Sequence, residues 1–234
     1  MPAIERHLRV RRTARYYQLG QPTSATREIW VACHGYSQLA APFAKALEVI
    51  ESDTRVVVAP EGLSRMYLGD PLARHGPDSP VGASWMTRED RESEIADYVD
   101  YLDDLVATVR SETGGAEAGV TALGFSQGGA TVCRWAARGR TRIHRLIVWA
   151  GSIPTDLPQD RGAHLFGDAK VILVAGRKDR FVAEEAADAM RAELSTQGID
   201  AQVIAFDGGH ALNSDTLRRL ATNSIIPSPQ SPAQ

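Results

Sequence analysis

Short apolar runs rich in Val and Ile recur along the chain, and stretches with helical periodicity separate them. This alternation is typical of an α/β fold, in which helices connect the strands of a mostly parallel sheet. Strands buried on both faces read as continuous apolar runs, and two of the runs fit that pattern well. The predicted strands are Ile29–Cys33, Arg55–Ala59, Val120–Phe125, Arg145–Ala150, Val171–Ala175 and Gln202–Phe206.

The segments between these strands predict the helices and one antiparallel edge. Residues 7–19 alternate weakly between apolar and polar positions, which indicates an N-terminal antiparallel edge hairpin. The clearest helix is expected to start at Thr87, whose hydroxyl can cap the first turn. The other predicted helices cover 38–51, 127–138, 181–197 and 212–222, which gives helices on both faces of the sheet. The stretch 61–86 is read as a long irregular loop, and loops of that length usually build a site.

The domain organisation follows from length and from the last few residues. A chain of 234 residues without an internal repeat or linker predicts a single domain over residues 1–226. Residues 227–234 contain three prolines and no apolar cluster, so we expect a flexible Pro-rich tail.

Charge and cysteine content exclude several classes of protein. The chain has 26 Lys and Arg against 29 Asp and Glu, a net charge of −3, which argues against a nucleic-acid partner. Its densest apolar run, Leu146–Ala150, is far too short for a membrane span, so we expect no membrane partner. No signal-peptide pattern is present, and the two cysteines do not make a disulfide framework. A cytoplasmic location is therefore the default expectation.

Gly124-Phe125-Ser126-Gln127-Gly128 is a G-x-S-x-G sequence that lies between a predicted strand and a predicted helix. This setting is the one in which a sharp turn presents a nucleophilic serine above a sheet. A glycine-rich turn with a bystander serine, or a phosphate-binding loop, is the alternative. The phosphate reading lacks the lysine of a P-loop and the glycine spacing of a dinucleotide fingerprint.

A nucleophilic serine needs a histidine base and an acid that orients it. Asp179 and His210 each follow a predicted strand, in the chain order that this fold uses, across short segments that contain glycine. We therefore predict the acid at Asp179 and the base at His210. The weaker alternatives are Asp207, Asp156 and Asp168 for the acid, and His144 and His164 for the base.

The oxyanion of an acyl-transfer intermediate needs two N–H donors. We predict that the backbone amide of Gln127 is one of them and that the amide of Tyr36 is the other. His34 precedes the second donor and is read as a residue that shapes this turn rather than as a base. Asp, His and Glu show no metal-ligand spacing, so we expect no metal and no cofactor.

Four motifs occur in the chain in a fixed order, and together they are more specific than any one of them. They are His34-Gly35-Tyr36, Gly124-Phe125-Ser126-Gln127-Gly128-Gly129, Gly176-x-x-Asp179-x-x-Val182 and Gly208-Gly209-His210. This set resembles the carboxylesterase/phospholipase branch of the α/β-hydrolases, which includes acyl-protein thioesterases and small bacterial carboxylesterases. The resemblance covers about residues 27–222 and implies an α/β-hydrolase fold. Ser37 and Gln38 stand where that branch commonly has Gly-Asp.

The resemblance implies a serine hydrolase that cleaves small ester or thioester substrates through an acyl-enzyme on Ser126, with lysophospholipids as another option. Only residues 151–169 fill the place where larger relatives insert a cap, so no cap domain is expected. Trp85, Tyr67 and Met86 are predicted to line the substrate pocket, although Trp85 fits a core position equally well. A homodimer is one option for the assembly. The alternatives are a dienelactone-type hydrolase, a C–C hydrolase, a peptidase, or a non-catalytic binding protein. Dienelactone enzymes usually have cysteine as the nucleophile, which Ser126 argues against.

Overall fold

A computed structural model of the protein describes residues 2–70, 74–114, 117–182 and 184–222, without the side chain of Gln159. The predicted tail at 227–234 lies outside these residues, and the single domain over 1–226 stays a prediction. Among the described residues, no helix is both long enough and apolar enough to span a bilayer.

A seven-stranded, mostly parallel sheet forms the centre of the molecule. Its strands are β1 (Tyr16–Leu19), β2 (Glu28–Cys33), β3 (Arg55–Pro60), β6 (Gly119–Phe125), β7 (Arg145–Trp149), β8 (Lys170–Gly176) and β9 (Ala201–Phe206). Their order in the sheet is β1-β3-β2-β6-β7-β8-β9, and only β1 runs antiparallel to its neighbour. All six predicted strands are present with ends shifted by at most one residue.

The N-terminal edge differs in detail from the prediction. Its antiparallel character is confirmed, but β1 pairs with β3 rather than with another strand inside residues 7–19. Tyr16 lies opposite Pro60 and Leu19 lies opposite Val57. Residues 2–15 precede β1 and form no regular secondary structure.

In the described residues, five α-helices cover the two faces of the sheet. They are α1 (Ala40–Leu47), α2 (Arg91–Glu112), α3 (Gln127–Arg138), α4 (Glu184–Thr196) and α5 (Ser214–Thr222). Successive residues of a strand point to opposite faces. Ile29, Val31 and Cys33 accordingly pack with α2, α3 and α4, whereas Trp30 and Ala32 pack with α1 and α5. The core therefore consists of two apolar layers, one on each side of the sheet.

The predicted start of α2 at Thr87 is wrong by four residues. The helix begins at Arg91, and Asp90 before it has a positive φ of 44°. The Thr87 hydroxyl instead accepts a hydrogen bond from the Glu89 amide, at 3.1 Å, in the turn before the helix. The Thr87 amide donates to the Glu94 carboxylate at 2.6 Å. Thr87 thus closes a turn outside the helix, and it does not cap the helix.

The segment 61–86, expected to be irregular, contains a second small sheet. Strands β4 (Ser64–Tyr67) and β5 (Val81–Ser84) pair antiparallel, and Leu68 donates a hydrogen bond to the Pro80 carbonyl at 2.8 Å. The connection between β7 and β8 contains one short 3-10 helix, Gln159–His164, in the residues that the structure describes. The expected lack of a cap domain stays a prediction.

Candidate active site

The candidate site lies at the carboxyl ends of the parallel strands. Along the chain, the sheet first grows from β2 to β3 and then continues from β6 on the other side of β2. The loops after β2 and β6 therefore diverge, and such a switch point is where open α/β sheets form their binding crevices. Ser126 directly follows β6, and the predicted oxyanion residue Tyr36 follows β2.

Ser126 occupies a strained turn between β6 and α3. Its φ of 54° and ψ of −116° lie outside the regions that L-residues normally adopt. The turn is held by two hydrogen bonds, from the Ser126 amide to the Trp149 carbonyl at 2.8 Å and from the Gly129 amide to the Ser126 carbonyl at 2.9 Å. This geometry is the strand-turn-helix elbow that the sequence predicts.

Glycines make the tight elbow possible. A Cβ atom at Gly128 would lie 2.7 Å from the Cys33 carbonyl carbon and closer still to its oxygen. A Cβ atom at Gly124 would overlap the Gly128 carbonyl in the same way. Because real Cβ atoms do not approach backbone this closely, α3 can pack against the ends of β2 and β6 only with glycine at these positions.

The structure brings the three predicted side chains together in one hydrogen-bonded chain. His210 Nε2 lies 2.9 Å from Ser126 Oγ, and His210 Nδ1 lies 2.8 Å from Asp179 Oδ2. A carboxylate can only accept, so Nδ1 carries a proton, which leaves Nε2 as an acceptor for the serine hydroxyl. The arrangement can therefore move a proton from Ser126 to His210.

Asp179 is held as an anion within the protein. Its side chain has 0% exposure, and its Oδ1 accepts hydrogen bonds from the amides of Phe181 at 2.8 Å and Val182 at 3.1 Å. Burial acts to raise the pKa of Asp179, but the hydrogen bonds from Phe181, His210 and Val182 outweigh it and lower the pKa. The carboxylate is thus ionised and fixed in orientation.

Two aromatic rings border the His210 imidazole. The buried Phe125 ring lies 5.0 Å from it between centroids, and the Phe181 ring contacts it edge-on at 4.9 Å. Phe181 is 81% exposed, which leaves most of its apolar surface open beside the histidine. Phe181 was not among the predicted site residues, although an apolar side chain two positions after the predicted acid was an available signal.

The turn after β2 is shaped by His34. Its Nδ1 donates to the Gly35 carbonyl at 2.8 Å, and its Nε2 accepts from the Gly62 amide at 3.0 Å. Burial lowers the pKa of His34, against smaller opposing effects of the Gly35 hydrogen bond and Glu61. Both ring nitrogens are therefore occupied, which supports the shaping role over that of a base. Within the ranges that the structure describes, the Tyr36 amide meets no protein acceptor.

The Gln127 side chain links the elbow to the segment between β5 and α2, a role that the sequence pattern does not predict. Its Oε1 accepts from the Trp85 amide at 3.2 Å, and its Nε2 donates to the Met86 carbonyl at 2.9 Å and to Ser84 Oγ at 3.0 Å. The backbone amide of Gln127 begins α3, where N–H groups have no acceptor within the helix. This amide is available to a ligand beside Ser126.

The three predicted pocket residues differ in their surroundings. Trp85 is 2% exposed and donates from Nε1 to the His34 carbonyl at 2.9 Å, so it takes the core position that was its alternative reading. Met86 is half-buried, and its sulfur accepts from Arg134 at 3.4 Å. Tyr67 is 53% exposed and stacks on His75 at 4.1 Å. The pocket roles of Met86 and Tyr67 stay predictions.

The competing acids make other interactions. Asp207 is exposed and pairs with Lys178 at 2.8 Å, and Asp168 pairs with Arg142 at 3.3 Å. Asp156 is bound by Arg134 and Arg91. Burial acts to raise its pKa, but the hydrogen bonds from these two arginines outweigh it and lower the pKa to about 2.

The competing histidines also lie outside the hydrogen-bonded chain of Ser126. His144 accepts a hydrogen bond from the Val120 amide at 3.0 Å, near the amino ends of the strands. His164 ends the 3-10 helix between β7 and β8.

One group of side chains in the described residues could approach a metal ion together. Glu5, His7 and Asp90 place ligand atoms within 4.8 Å of one another on the exposed surface, where the N-terminal segment meets the start of α2. His7 Nε2 already contacts both carboxylates, at 3.3 and 3.1 Å. These contacts account for the grouping of the three side chains on the surface.

A sheet of this order, with the serine elbow after β6 and an acid and a histidine after β8 and β9, defines an α/β-hydrolase. The chain belongs to the dienelactone hydrolase family, whose model matches residues 55–224. That match includes the elbow, Asp179 and His210, and it begins after the His34-Gly35-Tyr36 turn. The comparison with curated proteins gives no match.

Solved structures with the same fold include hydrolases of ester bonds. The chain is similar to esterase PE8, with 21% identity, a TM-score of 0.62, and 89% of this chain and 96% of that chain covered. It is also similar to Zea mays acyl-protein thioesterase 2, with 15% identity, a TM-score of 0.65, and 90% and 97% covered. The Bacillus cereus carboxylesterase gives 12% identity, a TM-score of 0.63, and 89% and 92% covered. The predicted α/β-hydrolase fold is confirmed.

Proposed function

We propose that this protein is a serine hydrolase that cleaves carboxylic esters through an acyl-enzyme on Ser126. The observation that carries the proposal is the chain of hydrogen bonds from Ser126 Oγ to His210 Nε2, at 2.9 Å, and from His210 Nδ1 to the buried Asp179, at 2.8 Å. Serine, histidine and an orienting acid in this order constitute the machinery of nucleophilic acyl transfer.

The first half of the proposed reaction acylates the serine. His210 Nε2 takes the hydroxyl proton while Ser126 Oγ attacks the carbonyl carbon, which gives a tetrahedral oxyanion and an imidazolium paired with Asp179. The carbon–oxygen bond to the alcohol then breaks, and His210 returns the proton to the leaving alcohol. Water next attacks the acyl-enzyme by the same proton transfer through His210, which releases the acid and regenerates Ser126.

Two backbone amides would stabilise the oxyanion in each half-reaction. The Gln127 amide stands directly after the nucleophile at the start of α3. The Tyr36 amide lies in the turn after β2, and the residue before it approaches Ser126, since a Cβ atom at Gly35 would lie 3.2 Å from Ser126 Cβ. Fixed N–H donors of this kind typically contribute about 10²- to 10³-fold each to kcat.

The proposal specifies the bond that is cleaved, a carboxylic ester or thioester, and leaves the rest of the substrate open. Esterases and an acyl-protein thioesterase share the fold, so oxygen esters and thioesters are both tested, together with a lysophospholipid. The family name adds a second candidate, hydrolysis of a dienelactone. A lactone is an ester closed into a ring, so Ser126 would open it by the same attack. The exposed Phe181 beside His210 favours substrates with an apolar group near the cleaved bond.

The test compares wild-type protein with Ser126→Ala and with Ser195→Ala, a control in the exposed surface of α4. Short nitrophenyl esters, a thioester, a lysophospholipid and a dienelactone are the substrates. We expect Ser126→Ala to lose at least about 10³-fold in kcat and to resist labelling by a fluorophosphonate, with the control unchanged. Equal ester hydrolysis by wild type and Ser126→Ala would overturn the proposal.

A further inference from the structure

A four-residue turn, Gly35 to Gln38, carries the proposed oxyanion donor Tyr36. The Gln38 amide donates to the Gly35 carbonyl at 3.2 Å, which closes the turn. Ser37 within it has a positive φ of 63°, a conformation that normally requires glycine. The turn therefore has a strained residue at its third position and needs further contacts to hold its shape.

The direction of the Tyr36 N–H is set by the carbonyl on the other side of the same peptide bond. In a trans peptide the C=O and the N–H point in opposite directions. The Gly35 carbonyl is held by His34 Nδ1 at 2.8 Å and by the Gln38 amide at 3.2 Å. Rotation of this peptide would break both bonds, so the Tyr36 N–H is kept pointing away from the His34 ring.

The Gln38 side chain fixes the preceding peptide. Its Oε1 accepts the Gly35 N–H at 2.7 Å, the shortest hydrogen bond of the turn. Because an amide N–H can only donate, the oxygen end of the carboxamide must face Gly35. A Cβ atom at Gly35 would lie 3.1 Å from this oxygen and 3.2 Å from Ser126 Cβ. The side chain thus holds Gly35 at the point where the turn approaches the nucleophile.

The rest of the turn is anchored to β5 rather than to the site. The Ser37 amide donates to the Ala83 carbonyl at 2.9 Å, and the Ala83 amide donates to the Gln38 carbonyl at 3.1 Å. These two bonds fix the second half of the turn. The first half, next to Ser126, depends on His34 and on the Gln38 side chain.

We infer that Gln38 is a positioning residue for the proposed hydrolase, whose Oε1 holds the Gly35 amide and thereby keeps the Tyr36 N–H aimed at the oxyanion. The inference rests on the proposed function. It assigns a role to a residue that stands where similar sequences commonly have aspartate, and it predicts that this role resides in the acceptor oxygen.

Gln38→Leu removes the acceptor and keeps most of the side-chain volume. We expect kcat for a nitrophenyl ester to fall by about 10- to 100-fold with KM within about threefold of wild type, because a displaced oxyanion donor weakens only the transition state. The rate of fluorophosphonate labelling should fall in parallel. Gln18→Leu, in which the lost side-chain bond goes to the Gly20 carbonyl beside edge strand β1, is the matched control and should leave both rates unchanged.

Gln38→Glu tests whether the role of Gln38 resides in its side-chain oxygen, because the substitution keeps that acceptor and removes the side-chain NH₂ group. It retains an oxygen for the Gly35 N–H, and 0.5 M salt screens the added charge. We expect kcat at that salt concentration to recover to within about fivefold of wild type. Hydrogen exchange gives a readout that is independent of turnover: the Gly35 amide should lose protection by about tenfold or more in Gln38→Leu and keep it in Gln38→Glu.

Three outcomes would overturn the inference. It fails if Gln38→Leu has the kcat of wild type, if its KM rises as much as its kcat falls, or if Gln38→Glu is as slow as Gln38→Leu at high salt. These results differ from a failure of the proposed function, in which wild type itself neither hydrolyses the esters nor reacts with the fluorophosphonate. In that case the exchange of the Gly35 amide still tests the hydrogen bond.

Discussion

Replacing Asp179 with asparagine is expected to lower kcat by about 10³- to 10⁴-fold while the fold stays intact. The substitution keeps the size of the side chain and changes one oxygen to an NH₂ group. It therefore tests whether the proton arrangement of His210, rather than packing around it, sets the rate.

The magnitude follows from the contacts of the carboxylate. Oδ1 accepts the amides of Phe181 and Val182, and only an oxygen can do so. The asparagine oxygen must therefore take that place, and its NH₂ group then faces His210 Nδ1. The imidazole responds by accepting at Nδ1 and carrying its proton at Nε2, where it can no longer accept the proton of Ser126. A loss of 10³- to 10⁴-fold corresponds to about 4 to 5.5 kcal/mol in the activation free energy.

The assay is nitrophenyl ester hydrolysis between pH 6 and 9, with the melting temperature as a check on folding. Asp207→Asn is the matched control, because Asp207 follows β9, is exposed and pairs only with the exposed Lys178 among the interactions described. We expect its kcat to stay within about twofold of wild type. The pKa of Asp179 lies below its ordinary value, so the wild-type carboxylate remains ionised throughout this pH range.

Retention of more than a tenth of kcat by Asp179→Asn would refute the reasoning. A large loss in Asp207→Asn instead would move the acid to that residue. A melting temperature that falls together with kcat in Asp179→Asn would indicate a structural role.

Two further predictions concern the rim of the site and the loop after β7. Phe181→Ala should lower kcat/KM for a phenyl-substituted ester about tenfold more than for an acetyl ester, since the exposed ring offers apolar contact beside His210. An equal fall in kcat/KM for both esters would contradict this prediction. Asp156→Asn should destabilise the protein by about 1 kcal/mol above pH 4, a value reduced for solvent screening, because Arg134 and Arg91 hold the pKa of Asp156 at about 2 in the folded state. A carboxylate whose pKa is lowered by folding stabilises the protein at pH values above its unfolded pKa. The difference in the free energy of urea unfolding between wild type and Asp156→Asn should therefore disappear as pH falls from about 4 to 2. A difference that persisted at low pH would contradict the reasoning.

The sheet was accessible from sequence because its signal is local. Runs such as Val171–Ala175 are buried on both faces, so nearly every residue in them is apolar. The elbow and its two partners could be found for a similar reason, since each follows a strand and glycine-rich backbone marks it. The spatial meeting of Ser126, Asp179 and His210 then follows from strand order.

The missed features depend on contacts between distant segments. Strands β4 and β5 are only four residues each and pair across a long interval, so neither gives a periodic signal of its own. The hydrogen bonds from the Gln127 side chain to the backbone of Trp85 and Met86 depend on how α3 packs against that segment. The acceptor role of Gln38 likewise depends on the shape of a turn that one sequence does not specify.

The pairing of β4 with β5 has a consequence for how this scaffold could be altered. The bond from Leu68 to Pro80 closes the ladder, and Gln127 fastens the chain again just beyond its other end. Two sets of hydrogen bonds, the one between Leu68 and Pro80 and those of Gln127, therefore lie between this connection and Ser126. A change in the length of the connection should leave the position of Ser126 unchanged. We therefore expect that segments of different length could be grafted into this connection while Ser126, Asp179 and His210 keep their spacing.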